Sequence, residues 1–148
     1  MPKSMTKVLH VTVTTAAGPA TVRDYLRDFT HATEWDSGTE SCVRTFGNGG
    51  VGTVYRNVSR FGGQKVQLDY TVERDEPEVF EIVGRAKGTV GRDTITFTPA
   101  SGGTKVDYHA DFSLDVPWLI RPVVSFLLDR LARDTQASLQ AALDRLPR

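Results

Sequence analysis

Between Lys7 and Thr15 apolar and polar residues alternate, with Leu9, Val11 and Val13 on one side and His10, Thr12 and Thr14 on the other. A period of two marks a strand with one wet face. Gly18-Pro19 ends the alternation, and proline suits the first turn of a helix. Val22, Tyr25, Leu26 and Phe29 then recur at helical spacing. A second short helix is predicted over 30–35, closed by the turn Asp36-Ser37-Gly38. The middle of the chain returns to period two, and strands are predicted over 41–46, 53–59, 66–73, 79–87, 89–99 and 106–114. Val66, Leu68, Tyr70 and Val72 share one face of their strand, as Val106, Tyr108, Ala110, Phe112 and Leu114 share one face of theirs. Strand 53–59 reads both ways: either Tyr55 and Asn57 point inward, or Val54, Arg56 and Val58 do. Every connection is short, so the sheet is expected to be an antiparallel meander.

The chain closes on a helix predicted from Pro122 to Leu146, about 37 Å long at ~1.5 Å per residue. Ile120, Val124, Leu127, Leu128, Leu131 and Thr135 fall on one face. Ser138, Leu139, Ala142 and Leu146 continue that face, with Asp129, Arg133, Gln136, Gln140 and Asp144 opposite. The one-sided sheet is the only partner for this stripe. The class is therefore α+β: a strand, two short helices, six strands and a long helix, in one domain over 7–146 behind a flexible segment 1–6.

Length and charge narrow the functional classes. A chain of 148 residues buries about 68% of its unfolded surface, enough for one core. Lys+Arg and Asp+Glu both number 18, which argues against a nucleic-acid partner held by phosphate neutralisation and against a polybasic membrane anchor. Cys42 is the sole cysteine, so no internal disulfide forms. The longest apolar stretch, 116–128, contains Pro117, Arg121 and Pro122 and is too short to span a bilayer. No signal peptide is read at the start, and a cytoplasmic protein is expected. His10, His31 and His109 are scattered without metal-ligand spacing, so neither a metal nor another cofactor is expected. Gly47, Gly49 and Gly52 fit a dinucleotide-loop spacing, but that loop must open a helix, and here a strand follows. A hairpin turn is the expected role. No G-x-S-x-G elbow supports a serine nucleophile.

The element order resembles the helix-grip fold of the START-like (SRPBCC) superfamily. The loop Gly47-Asn48-Gly49-Gly50-Val51-Gly52-Thr53 resembles the glycine-rich loop of its birch-pollen-allergen and pathogenesis-related branch. Leu26-Arg27-Asp28-Phe29, running on to Glu34-Trp35, resembles the bacterial polyketide cyclase/dehydrase-like branch. So does the helix from Pro122 that ends Leu139-Gln140-Ala141-Ala142-Leu143. The resemblance implies a curved antiparallel sheet of about seven strands wrapped around the C-terminal helix. It also implies a cavity between them for a hydrophobic small molecule, in which some members cyclise or aromatise polyketides. Trp35 would close the cavity mouth.

The inward register supplies the candidate site. Asp93, in phase with Ile95 and Phe97, is the candidate catalytic residue. In a dry cavity desolvation would raise its pKa and suit it to proton transfer; beside Arg92 at a strand end it would simply be solvated. Candidate ligand contacts are Trp35, Tyr55, Asn57, Leu68, Tyr70 and Ile82. Ile95, Phe97, Tyr108, Phe112, Leu131, Thr135 and Ser138 complete the set. Small groups at Thr135 and Ser138 permit either close helix–sheet packing or a cavity.

Three functions remain open. The first is binding of an apolar or polycyclic, lipid- or polyketide-like molecule by a monomer or weak homodimer. The second is a cofactor-independent polyketide aromatase/cyclase or dehydratase, with Asp93 as proton carrier and Tyr55, Tyr70 or Tyr108 orienting the substrate. The third is a protein–protein module using an apolar patch at Trp118, Leu119, Ile120, Val123 and Phe126.

Overall fold

The computed structural model describes residues 4–148. The period-two segments become β1 (Ser4–Thr15), β2 (Thr39–Phe46), β3 (Val54–Phe61), β4 (Gln64–Asp75), β5 (Val79–Ala86), β6 (Thr89–Ala100) and β7 (Gly103–Asp115). Between β1 and β2 lie α1 (Pro19–Leu26), a 3-10 turn (Phe29–His31) and α2 (Ala32–Trp35). A second 3-10 turn (Trp118–Ile120) leads into α3 (Arg121–Asp144). All seven strands form one antiparallel sheet in the order β1-β7-β6-β5-β4-β3-β2. The meander runs from β2 to β7, and β1 docks on β7 to complete the sheet that grips α3.

Several expectations shift. Of the segment 1–6, expected to be flexible, residues 1–3 lie outside the described residues, and Ser4, Met5 and Thr6 are strand, paired with Asp115, Leu114 and Ser113. β7 extends to Asp115, so it offers ladder partners to the whole of β1. Strand β3 resolves in favour of Tyr55 and Asn57, 1% and 2% exposed, while Arg56 sits outside beside Asp69 at 3.5 Å. Asn57 tolerates burial because its amide donates to Thr39 Oγ1 at 3.1 Å and its carbonyl accepts from Ser59 Oγ at 2.6 Å.

Helix α3 begins one residue earlier and ends two earlier than the pattern predicts. Its fully buried residues are Leu128, Thr135, Leu139, Ala142 and Leu143. Leu143 falls outside the inner face that the pattern predicts, yet Thr15 Oγ1 donates to its carbonyl at 3.2 Å and seats it against β1. Ile120, which the pattern puts on that face, precedes the helix and is exposed. On the flank, Gln136 Nε2 and Gln140 Nε2 donate to the carbonyls of Thr12 and Thr14 at 3.3 and 2.7 Å. Residues four apart on a helix thus meet residues two apart on a strand.

Glycine is required where backbones or rings come close. Gly47 opens the glycine-rich turn at φ +89°, and a Cβ there would lie 2.7 Å from Thr53 Cα. Gly84 lies beneath the Tyr70 ring, which a Cβ would meet at 2.7 Å. Gly91 lies beneath Phe112 in the same way, at 3.2 Å. His10 and His109 point outward as expected and stack with centroids 4.0 Å apart.

Candidate functional site

The space between sheet and α3 is divided. At one end α1 and α2 lie against a filled core. Phe29 packs against Trp35, Tyr55 and Tyr70 with ring centroids 5.8, 6.1 and 5.0 Å away. At the other end a cavity of about 330 Å³ remains open. Leu9 and Val11 of β1, Val66 and Leu68 of β4, and Ala110 and Phe112 of β7 supply apolar walls. Val124, Leu128 and Leu131 of α3 form the roof. Pro117 and Ile120 line it at the exposed side, where Trp118 and Leu119 stand 76% and 71% exposed. Val123 and Phe126 continue that exposed apolar patch.

Polar groups also line the cavity, among them Ser59, Arg60, Thr89 and Asp115. Tyr70, Tyr108, Asp36 and Thr135 all line it. Asp36 accepts from Gly38 N–H, Thr39 Oγ1 and Thr135 Oγ1 at 3.2, 3.0 and 3.4 Å. Burial raises its carboxyl pKa, and those three donors oppose the rise. Tyr70 is held by its ring over Gly84; among the described residues its hydroxyl has no hydrogen-bond partner. Tyr108 Oη donates to Asp93 Oδ2 at 2.9 Å.

Asp93 itself is 2% exposed and does not line the cavity; it stands behind Tyr108. It is not the solvated strand-end residue that its neighbour Arg92 suggests. Its second oxygen, Oδ1, has no partner. Burial pushes its pKa up to about 7, Tyr108 holds it back, and the negative charges of Asp36 and Asp111 add to the rise.

Of the candidate ligand contacts, Leu68, Tyr70, Tyr108, Phe112, Leu131 and Thr135 come together around the cavity. The others lie in the filled core. Trp35 does not close the mouth: it is fully buried, with its ring edge-on to Tyr108 at 5.4 Å and its Nε1 unpartnered. Ser138 Oγ donates to the Trp35 carbonyl at 2.6 Å, which ties α2 to α3 rather than facing a ligand. Tyr55 and Asn57 lie by the 3-10 turn and β2, and Ile82 of β5 with Ile95 and Phe97 of β6 belongs to the same buried cluster, with α1 against β6. The lining residues outside the candidate set, such as Leu9, Val11 and Val66, share the inward register of their strands. Asp36 reads from the sequence only as a turn residue; its neighbour Gly38 signals the turn, and nothing local signals the cavity. Among the described residues no three His, Cys, Asp or Glu groups are placed to hold a metal, and no helix is long and apolar enough to cross a membrane.

Residues 6–148 match the family model described as polyketide cyclase/dehydrase and lipid transport. The chain belongs to that family. The fold recurs in solved structures of low identity. The ZhuI aromatase/cyclase from Streptomyces sp. R1128 is 15% identical, with a TM-score of 0.78 over 94% of each chain. A protein from Thermus thermophilus is 21% identical, with a TM-score of 0.75 over 92% of this chain and 99% of the other. Norcoclaurine synthase from Thalictrum flavum, solved with dopamine and hydroxybenzaldehyde, is 16% identical, with a TM-score of 0.66 over 95% of this chain and 87% of its own. No curated protein matches the sequence. Family membership supports a ligand-binding or polyketide-cyclase role, and the helix-grip architecture is common to all three structures.

Proposed function

We propose that the protein binds an apolar, lipid- or polyketide-like small molecule between the sheet and α3. The observation that carries this is the cavity itself: about 330 Å³, walled mainly by aliphatic and aromatic side chains, with a few polar groups such as Tyr70, Tyr108, Asp36 and Thr135 among them. Small-molecule sites are built in this way, at roughly 300–1,000 Å³. The reading extends to a cytoplasmic, cofactor-independent protein acting as a monomer or weak homodimer. Native against denaturing mass spectrometry of the freshly isolated protein tests it. A small molecule should be seen natively and lost on denaturing. Leu131→Trp, which places a large ring in the roof, should lose that molecule while remaining folded. Retention of the same molecule by a folded Leu131→Trp protein would move the site elsewhere.

The Tyr108–Asp93 contact favours a second reading, an aromatase/cyclase or dehydratase. Tyr108 would then touch the substrate. Asp93, protonated in part near neutrality, would supply or take the proton through it. Asp93 would thus act at one remove, and not by the direct contact that its inward phase suggests. Unchanged turnover of a polyketide-like substrate by Asp93→Asn would eliminate this reading and leave the binding one standing.

A further inference from the structure

Tyr108 is a cavity wall whose only proton is already committed. A phenol has a single O–H donor, and here it points at Asp93 Oδ2, 2.9 Å away. An ionised carboxylate only accepts. While Asp93 is charged, the Tyr108 proton therefore stays on that side, and the oxygen offers the cavity lone pairs alone. A protonated Asp93 has an O–H of its own to give to the Tyr108 oxygen. The phenol proton is then free to turn toward a ligand. The same hydroxyl is an acceptor in one state and a donor in the other.

We infer that the Asp93–Tyr108 pair is the specificity element of the cavity, selecting a ligand that offers a hydroxyl donor, a phenol or enol, while Asp93 is ionised. With Asp93 protonated, the wall accepts a hydroxyl or its ether equally. This inference rests on the cavity being a ligand site and adds the chemical class that the site prefers. On its own side of the sheet Asp93 is faced by Tyr108 on β7, Tyr70 on β4 and Asp36 after α2, none of them a cation, and the charge of Asp111 acts from the outer face of β7. With Oδ1 unpartnered and solvent excluded, Asp93 changes state near pH 7, so both forms are reached under ordinary conditions.

The probes are 2-naphthol and 2-methoxynaphthalene, which share the ring and the oxygen and differ in the O–H donor and one methyl group. Their affinities for the full chain are measured by calorimetry at about pH 5.5 and about pH 8.5, on either side of about 7. The wild type's naphthol-to-ether affinity ratio should be about tenfold higher at the higher pH than at the lower, the value of one well-made hydrogen bond. Asp93→Asn, which keeps the shape and removes the titration, should give a ratio that does not change with pH. Tyr108→Phe should give the lower-pH wild-type ratio at both pH values. A wild-type ratio that is the same at both pH values, or a higher-pH rise in the ratio that survives in Tyr108→Phe, overturns the inference while leaving the binding site intact. Failure of both probes to bind the folded wild type overturns the binding reading itself, and the inference with it.

Discussion

Replacing Asp93 by asparagine tests the buried carboxyl through stability alone, with no ligand needed. The side chain keeps its shape and an oxygen that accepts from Tyr108. What changes is ionisation. In the folded protein Asp93 holds its proton up to about pH 7, whereas its ordinary value is 3.8. Between those values the folded state binds a proton that the unfolded state has lost. Stability contributed by this residue is therefore fully present below the ordinary value and is lost as pH rises through about 7. At about 1.36 kcal/mol per pH unit, the full interval amounts to about 4 kcal/mol.

Asparagine also introduces an N–H where Oδ1 has no partner, a constant cost of about 1–3 kcal/mol that does not vary with pH. The informative quantity is thus the trend, not the offset. Urea unfolding of both proteins at several pH values from about 4.5 to about 8.5 gives it directly. The stability of Asp93→Asn relative to wild type should climb by about 3–4 kcal/mol over that range and flatten above pH 7. Groups common to both proteins cancel in the difference. A difference that is flat with pH would refute the reasoning, because it would show Asp93 hydrated or paired in solution.

Other perturbations address other parts of the structure. Gly84→Ala drives a methyl into the Tyr70 ring and should cost about 1–3 kcal/mol in urea unfolding, with displacement of the Tyr70 ring resonances by NMR. Gly47→Ala meets both a φ of +89° and the Thr53 backbone, and should destabilise by at least about 1 kcal/mol, read as a lowered melting temperature. Asp75 joins α1 to the end of β4 by accepting from Arg23 at 2.7 Å and from Arg27, which hold its carboxyl below the usual range. Asp75→Asn should cost about 2 kcal/mol near neutral pH, and the gap to wild type should close as acid titrates the carboxylate.

The frame of the molecule was legible because its signals are local. Alternation in β4 and β7 and the apolar stripe of α3 each follow from burying one face of one element. The orientation of β3 was not, since one face offers two valines beside Arg56 and the other Tyr55 beside Asn57, so aliphatic content and charge point opposite ways. Asn57 goes inside because Thr39 and Ser59, from β2 and from its own strand, complete its hydrogen bonds. Leu143 escaped for a related reason: a residue at the margin of a helical stripe is buried or exposed according to what stands beside it, here Thr15. The inward phase found six of the lining residues but did not separate cavity wall from filled core. That division depends on where rings lie. Tyr70 and Phe112 lean over glycines, and Trp35 is drawn between Phe29 and Tyr108, leaving the opposite end empty.

The two glutamines on α3 have a consequence for how the sheet meets other molecules. An open sheet has two outer strands whose unpaired carbonyls and amides invite another strand to add. On β1 the carbonyls of Thr12 and Thr14 are occupied by Gln136 and Gln140, so the helix that roofs the cavity also covers the C-terminal end of that margin. The opposite margin, β2, is interrupted in its pairing with β3 by register shifts between Thr39 and Ser41 and between Arg44 and Phe46. One border is closed by side-chain amides and the other by broken geometry. Both borders are therefore poor templates for strand addition and the aggregation that begins with it, and truncating both glutamines to alanine would reopen the one at β1.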